Sequence, residues 1–229
     1  MTKQKIKGEV YTLRKITNNL NRYLDIATPQ EIEEGKVWYT EANEFCKRLA
    51  IQHSLSLEQV AGITSSFSPQ CSWSSNKLLV KSFLDSGGKA KVTTFERLNK
   101  AKKMLKTTDY NEIMSLLSVR ENGALKTRAF YDSICRPFET DLVVIDRHQI
   151  AASLQRPDAT YALDANMAQI TPVQYNFLSE CVREVARSAG MSYSTLQATT
   201  WITYRRCRNL FEHKPDNLVG FIPANIESF

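Results

Sequence analysis

Two residues, Lys126 and Asp146, have the types and surroundings that covalent catalysis requires. Lys126 opens an amphipathic segment, where the positive end of a helix dipole and the neighbouring Arg128 disfavour the protonated amine. Asp146 follows an apolar run at 143–145 and begins another helix, whose amides keep a carboxylate ionised as a base or cation stabiliser. Taken singly, such a lysine is typical of a solvated helix face and such an aspartate of an ordinary N-cap. Their combination points to an active site.

The elements that position this pair are predicted to be helices. Apolar side chains from Val10 to Leu24 recur every three or four residues, which predicts a first helix with one buried face. The run at 143–145 is short, apolar and β-branched, as a strand would be, but helices flank it, so we predict a buried extended connector instead. Further helices are expected at about 29–49, 57–65, 73–84, 94–106, 109–118, 124–134, 147–154, 172–189 and 194–211, with a loop centred on 121–123.

Composition narrows the class of protein. Of 229 residues, 42% are hydrophobic and 24% charged, as in ordinary globular domains, while only 8 Gly and 7 Pro argue against a β-sandwich. A net charge of +6 favours a polyanionic partner such as nucleic acid. Five widely spaced cysteines without a CxxC pair predict reduced thiols in the cytoplasm and no metal site. The N-terminus resembles no signal peptide, and no apolar run approaches the roughly 20 residues that span a bilayer.

Four motifs, taken in order, resemble the helix-hairpin-helix DNA glycosylase superfamily. A Lys-Thr pair is followed 20 positions later by an apolar-Asp-x-His segment. Upstream, a Ser-x-Gln loop precedes an asparagine on the next helix, as in the thymine-glycol glycosylases of that superfamily. The segment 98–105 is similar to the helix before the family's hairpin, and a late helix is similar to its His-x-Trp helix. The positions that carry these matches are Ser68, Gln70, Asn76, Lys126, Thr127, Asp146, His148, Gln197 and Trp201.

The resemblance implies an all-α, two-lobed fold with a cleft between the lobes, in a single unit over 1–229. One lobe would comprise about 60–155, with the hairpin, and the other about 1–59 and 156–229. Double-stranded DNA would lie across the cleft with a modified base flipped out. Asp146 would support attack at the sugar C1′, Lys126 would form a Schiff base that permits strand cleavage, and Gln70 would lie near the flipped nucleotide or its gap. The enzyme would be a monomer without cofactors.

Other positions expected to contact DNA or substrate surround this pair. Trp73 is surrounded by polar residues and suits base stacking. The remaining candidates are Asn76, Arg128, Arg147, His148, Gln197 and Trp201.

Two departures from the family open a second hypothesis. The hairpin stretch 120–123 has one glycine where the family has Gly-x-Gly, and the four close cysteines of the family's iron–sulfur cluster are missing. The chain is thereby similar to a phage branch, the thymine pyrophosphorylases or amino acid:DNA transferases, which join an amino acid or amine to a pyrophosphorylated 5-hydroxymethyl base in DNA. Asp146 would then deprotonate the amine, and Arg147 and His148 would hold pyrophosphate. A third hypothesis is a non-catalytic DNA-binding module.

Overall fold

The computed structural model describes residues 2–89, 93–118, 125–159 and 169–208, and this part of the chain is mostly helical, as predicted. The predicted loop at 121–123 and the chain beyond 208 lie outside the described residues. None of the described helices combines the length and the apolar composition needed to cross a lipid bilayer. The helices are α1 (Leu13–Asp25), α2 (Pro29–His53), α3 (Leu57–Phe67), α4 (Trp73–Asp85), α5 (Phe95–Met104), α6 (Tyr110–Leu116), α7 (Leu125–Cys135), α8 (Arg147–Leu154), α9 (Pro172–Ala189) and α10 (Tyr193–Cys207).

A short antiparallel hairpin precedes α1, and it corrects the prediction of a helix from Val10 onward. Its strands are β1 (Lys3–Ile6) and β2 (Glu9–Thr12), and Val10 lies in β2 with 57% of its surface exposed. The two turn residues have φ of 50° and 91°, and Gly8 takes the larger value without steric cost. The helix begins only after Thr12, whose side chain caps its first turn.

The buried apolar side chains form two main clusters. The first lies among α2, α3, α4, α5, α6 and α7 and contains Phe67, Phe83 and Tyr131. The second lies among the hairpin, α1, α8, α9 and α10 and contains Leu20 and Leu178. The division of the chain into one lobe at about 60–155 and a second lobe from the remainder stays a prediction. The two clusters do not follow those bounds, because α2 packs into the first cluster and α8 into the second.

The segment before α8 is the buried extended connector that the sequence predicted. Successive side chains of an extended chain point to opposite sides, and here Val143 and Ile145 enter the second cluster while Val144 enters the first. The Tyr175 hydroxyl secures the backbone by donating to the Val143 carbonyl (2.7 Å) and accepting from the Ile145 amide (3.1 Å). The connector therefore fixes the position at which Asp146 emerges.

The long helix α2 packs closely against α10. At Gly35 a Cβ would lie 2.9 Å from the Thr199 backbone nitrogen and closer still to its hydroxyl, so only glycine permits this approach. Near the ends of the two helices, the buried Glu31 carboxylate accepts from Arg206 Nε at 2.6 Å. Burial raises the pKa of Glu31, but the hydrogen bonds from Arg206 and the Thr28 cap outweigh it, so the pKa lies below its ordinary value of 4.5.

Candidate active site

A cleft with about 550 Å³ of empty space, including the part open to solvent, lies where these elements meet. Its walls combine aromatic rings with a few polar groups, as in sites that bind small planar ligands. Residues of α2, α4, α7 and α10, of the connector and of the α3–α4 loop line it. They are Trp38, Tyr39, Ser68, Cys71, Trp73, Asn76, Lys126, Phe130, Val144, Asp146, Gln197, Ala198 and Trp201.

The spacing of the lining residues follows the geometry of the elements that carry them. Val144 and Asp146 are two apart on the extended connector, so both face the cleft. Lys126 and Phe130 are four apart on α7, one helical turn from each other on the same face. The lysine and the aspartate, 20 positions apart in sequence, both line this one cleft.

Three tryptophans form an aromatic wall. The ring centroids of Trp38 and Trp201 are 5.1 Å apart, and those of Trp38 and Trp73 are 6.3 Å apart. Phe45 and Phe130 pack edge-on against Trp73, with ring centroids 5.6 and 6.3 Å from its own. All three indoles remain partly exposed. Such a wall offers faces on which a planar heterocycle can stack.

Asp146 is held by hydrogen bonds to both carboxylate oxygens. It is the N-cap of α8, and its Oδ1 accepts from the backbone N–H of Gln149 at 2.8 Å. Its Oδ2 accepts from the Trp201 indole nitrogen at 3.0 Å. The predicted capping role is confirmed, and the second bond fixes the orientation of a carboxylate that also lines the cleft.

A chain of buried amides lies beneath the aspartate. The Tyr39 hydroxyl donates to Gln197 Oε1 at 2.6 Å, and Gln197 Nε2 donates to Gln149 Oε1 at 3.4 Å. Gln149 Nε2 in turn donates to the Thr200 hydroxyl at 3.3 Å. Burial raises the pKa of Tyr39 well above its ordinary value, so the phenol stays a donor. The chain fixes the Gln197 amide and connects α2, α8 and α10.

Asn76 is almost fully buried in the wall of the cleft. Its Nδ2 donates to the Thr64 carbonyl at 3.1 Å, which ties α4 to α3. Its Oδ1 is buried without a hydrogen-bond partner among the described residues. The side chain therefore has a structural role on one side and an unused acceptor on the other.

Lys126 occupies an environment that favours the neutral amine. Burial is the main cause that lowers the pKa of its ammonium group below the ordinary 10.5. The carboxylate of Asp146 opposes this, and the charges of Arg147 and Arg97 add to it. From the sequence we expected Arg128 to be the cation that lowers the pKa of Lys126, whereas Arg147 and Arg97 are the cations with the largest effect on it.

A group of cations adjoins the aspartate outside the aromatic wall. The Arg205 guanidinium lies over the Trp201 ring, 4.5 Å from its centroid. Arg147 Nε donates to His148 Nε2 at 3.3 Å, and the His148 ring lies 6.2 Å from that of Trp201. Burial lowers the pKa of His148, Asp146 opposes this, and the nearby guanidinium and Lys126 charges reinforce it. Among the described residues no group of three or more His, Cys, Asp or Glu is placed to hold a metal ion.

The structure brings most of the predicted residues into the cleft, but not all of them. Those that line it are Trp73, Asn76, Lys126, Asp146, Gln197 and Trp201. Arg147 and His148 adjoin Asp146 outside the lining. Gln70 is exposed on the α3–α4 loop and has a φ of 60°, which is uncommon for a residue other than glycine. Arg128 is half-buried on a different face of α7 from the lining residues Lys126 and Phe130, with its Nε buried and unpartnered among the described residues.

The sequence did not indicate four residues of the cleft and its rim: Trp38, Tyr39 and Cys71 line the cleft, and Arg205 lies over Trp201. The helical spacing of Trp38 and Tyr39 is typical of core residues. Cys71 is one of the five cysteines predicted to be reduced thiols, and Arg205 belongs to a basic run that is typical of a solvated helix end. Their types gave no sign of the cleft, since it forms only when α2 and α10 pack against each other.

Comparison with known proteins gives a family without an assigned activity. No curated protein and no solved structure matches the chain. A family model does match, over residues 2–208, and this range includes every residue that lines the cleft. The chain therefore belongs to the family described as a family of unknown function, DUF7178.

Proposed function

We propose that this chain is a DNA-base-processing enzyme, an N-glycosylase with associated lyase activity, on a two-lobed glycosylase-like fold. The observation that carries the proposal is the convergence of Lys126 and Asp146 on one aromatic-walled cleft. An amine with a lowered pKa and a doubly hydrogen-bonded carboxylate supply the nucleophile and the charge stabiliser that this chemistry needs.

The aromatic wall suits a base that has left the duplex. A base inside a double helix cannot reach a buried lysine, so it must rotate out of the stack before reaction. The partly exposed rings of Trp38, Trp73 and Trp201 would replace the stacking that the base loses, at about 1–3 kcal/mol for each stacked base. Gln70 is exposed on the loop between the cleft residues Ser68 and Cys71, and in this proposal it would enter the vacated space in the duplex.

The reaction follows from the two functional groups. The neutral Lys126 amine attacks C1′, the N-glycosidic bond breaks, and the base departs with the bonding electrons and takes a proton. Loss of a proton from the lysine nitrogen and opening of the sugar ring give the Schiff base. Asp146 stabilises the positive charge that develops on the sugar during bond cleavage. The lowered pKa of Lys126 matters because only the unprotonated amine is a nucleophile.

The test is incubation of the full chain with duplexes that contain different modified thymines, followed by mass spectrometry of nucleosides and free bases. We expect a released base together with a borohydride-trapped adduct on Lys126, and loss of the adduct in Lys126→Gln. A matched control is Lys36→Gln, which changes an exposed lysine of α2.

Other outcomes would overturn the proposal in distinguishable ways. A mass gain on thymidine that requires an added amino acid or amine would identify the transferase. DNA binding without any change in the nucleosides would identify a non-catalytic DNA-binding module. An adduct of equal yield in Lys126→Gln would show that another amine reacts.

A further inference from the structure

We propose that Arg147 and Arg205 form a phosphate-binding subsite beside the aromatic cleft, on the side of Asp146 that carries the cations. The proposal rests on the proposed function, because the phosphate is taken to belong to the nucleotide whose base occupies the cleft.

The geometry places the Arg205 guanidinium over the Trp201 indole and the Arg147 guanidinium against His148, whose ring adjoins that indole. Arg205 lies over the Trp201 ring at 4.5 Å from its centroid, while the indole nitrogen of the same ring donates to Asp146 at 3.0 Å. Arg147 directly follows Asp146 in sequence and donates to His148, whose ring adjoins that of Trp201. Trp201 thus belongs both to the cleft wall and to the cationic group, so a ligand in one lies next to the other.

Positive charges outnumber negative charges among the side chains that most affect His148, the neighbour of Asp146. The positive charges of Arg147, Arg205 and Lys126 all act at His148, and the Asp146 carboxylate is the negative charge that opposes them there. Holding cations close together is costly in a partly buried position, and a bound anion removes that cost.

A phosphate group has the charge and the geometry that this arrangement can bind. Guanidinium groups present parallel donors that match the oxygens of phosphate, and the contact of Arg205 with the Trp201 ring restricts the position of its donors. The side chain of Arg147 is exposed, so its donors can reach a ligand at the rim of the cleft. The phosphate could come from the DNA backbone or from a pyrophosphate group, and these two sources can be separated by experiment.

The first arm measures how oligonucleotide binding depends on salt, by fluorescence anisotropy with a duplex. Each lost phosphate contact reduces the slope of log K against log salt by roughly 0.9. We expect this reduction in Arg147→Gln and in Arg205→Gln, and no reduction in Arg205→Lys, which keeps the charge. Arg187→Gln is the matched control, since this arginine of α9 pairs with Glu184 on the surface. Because Arg147 is exposed, its variant should fold normally.

The second arm titrates the wild type and Arg147→Gln with inorganic pyrophosphate at matched ionic strength and measures binding by calorimetry. A reduced salt slope in the arginine variants assigns the subsite to the DNA backbone. Unchanged slopes together with pyrophosphate binding that Arg147→Gln weakens would assign it to a free phosphate group. Unchanged slopes in both arginine variants, with no binding of pyrophosphate, would overturn the subsite, and base release that persists in that case would leave the proposed activity standing. Reduced slopes without any change in nucleosides would overturn the proposed activity alone.

Discussion

At the scale of single residues, the orientation of Asp146 depends on Trp201. Trp201→Phe keeps an aromatic ring in the wall but removes the indole donor to Oδ2. A hydrogen bond to a charged group contributes about 1.5–3 kcal/mol, so we expect base release to slow by about tenfold or more. Trp38→Phe is the matched control, because it changes the same wall and leaves the bond to Asp146 intact. Equal single-turnover rates in the two variants would show that the bond is unimportant.

The protonation of Lys126 gives a second prediction at this scale. Its pKa is lowered, so the neutral amine appears on raising the pH, and the rate of cyanoborohydride trapping on abasic DNA should level off below pH 10.5. Arg147→Gln removes a charge that lowers this pKa and should move the midpoint to higher pH. Asp146→Asn removes a charge that raises it and should move the midpoint to lower pH. Midpoints that do not move, or move in the opposite directions, would contradict the assigned electrostatics.

The sequence predicts a site residue when the contacts that define its role come from residues nearby in sequence. Asp146 could be predicted as a helix cap after a buried run, because both features lie within a few residues of it. The second bond to Asp146 comes from α10, and the cations that act on Lys126 come from α5 and from the start of α8. Each of these groups is distant in sequence from the residue on which it acts. Periodicity identifies the face of a helix that is covered, but it does not identify what covers it. The helical spacing of Trp38 therefore indicated only a residue of the core.

At the scale of elements, the cleft depends on the close approach of α2 and α10. Gly35→Ala would force these helices apart at Thr199, and overpacking of this kind costs about 1–3 kcal/mol. We expect a lower melting temperature together with weaker base release, because α10 carries Gln197 and Trp201. Lys36→Ala on the exposed face of α2 should change the stability by less than about 0.5 kcal/mol. A Gly35→Ala variant as stable and active as the wild type would contradict this packing.

The helices were predictable because their capping residues and their apolar periodicity lie within or next to the helical segments themselves. Thr171, with Pro172 after it, begins α9, and Gly190 ends it in the left-handed conformation, as the sequence suggested. The N-terminal hairpin was not predicted, because Val10 fits a helical spacing with Leu13 as well as it fits a strand. What decides between them is the turn at Gly8 and the cap at Thr12.

At the scale of the whole molecule, the chain carries its own reporter of cleft occupancy. It has three tryptophans, and all of them line the cleft. A stacked base should quench their fluorescence, and more strongly for a duplex with a mismatched pair than for a fully paired one, because the mismatched base leaves the stack at lower cost. Binding that is visible by anisotropy without any quenching would place the DNA elsewhere on the molecule.

The measurement that tests the central claim most directly is the rate at which the Asp146→Asn variant releases the modified base from DNA, relative to the wild type. Asparagine caps a helix as well as aspartate does, so the fold should retain its melting temperature. Loss of the charge should reduce base release by at least about 100-fold. The control, Asp25→Asn at the exposed end of α1, should be fully active. An Asp146→Asn variant that is folded and as active as the wild type would contradict the assignment of this cleft as the active site.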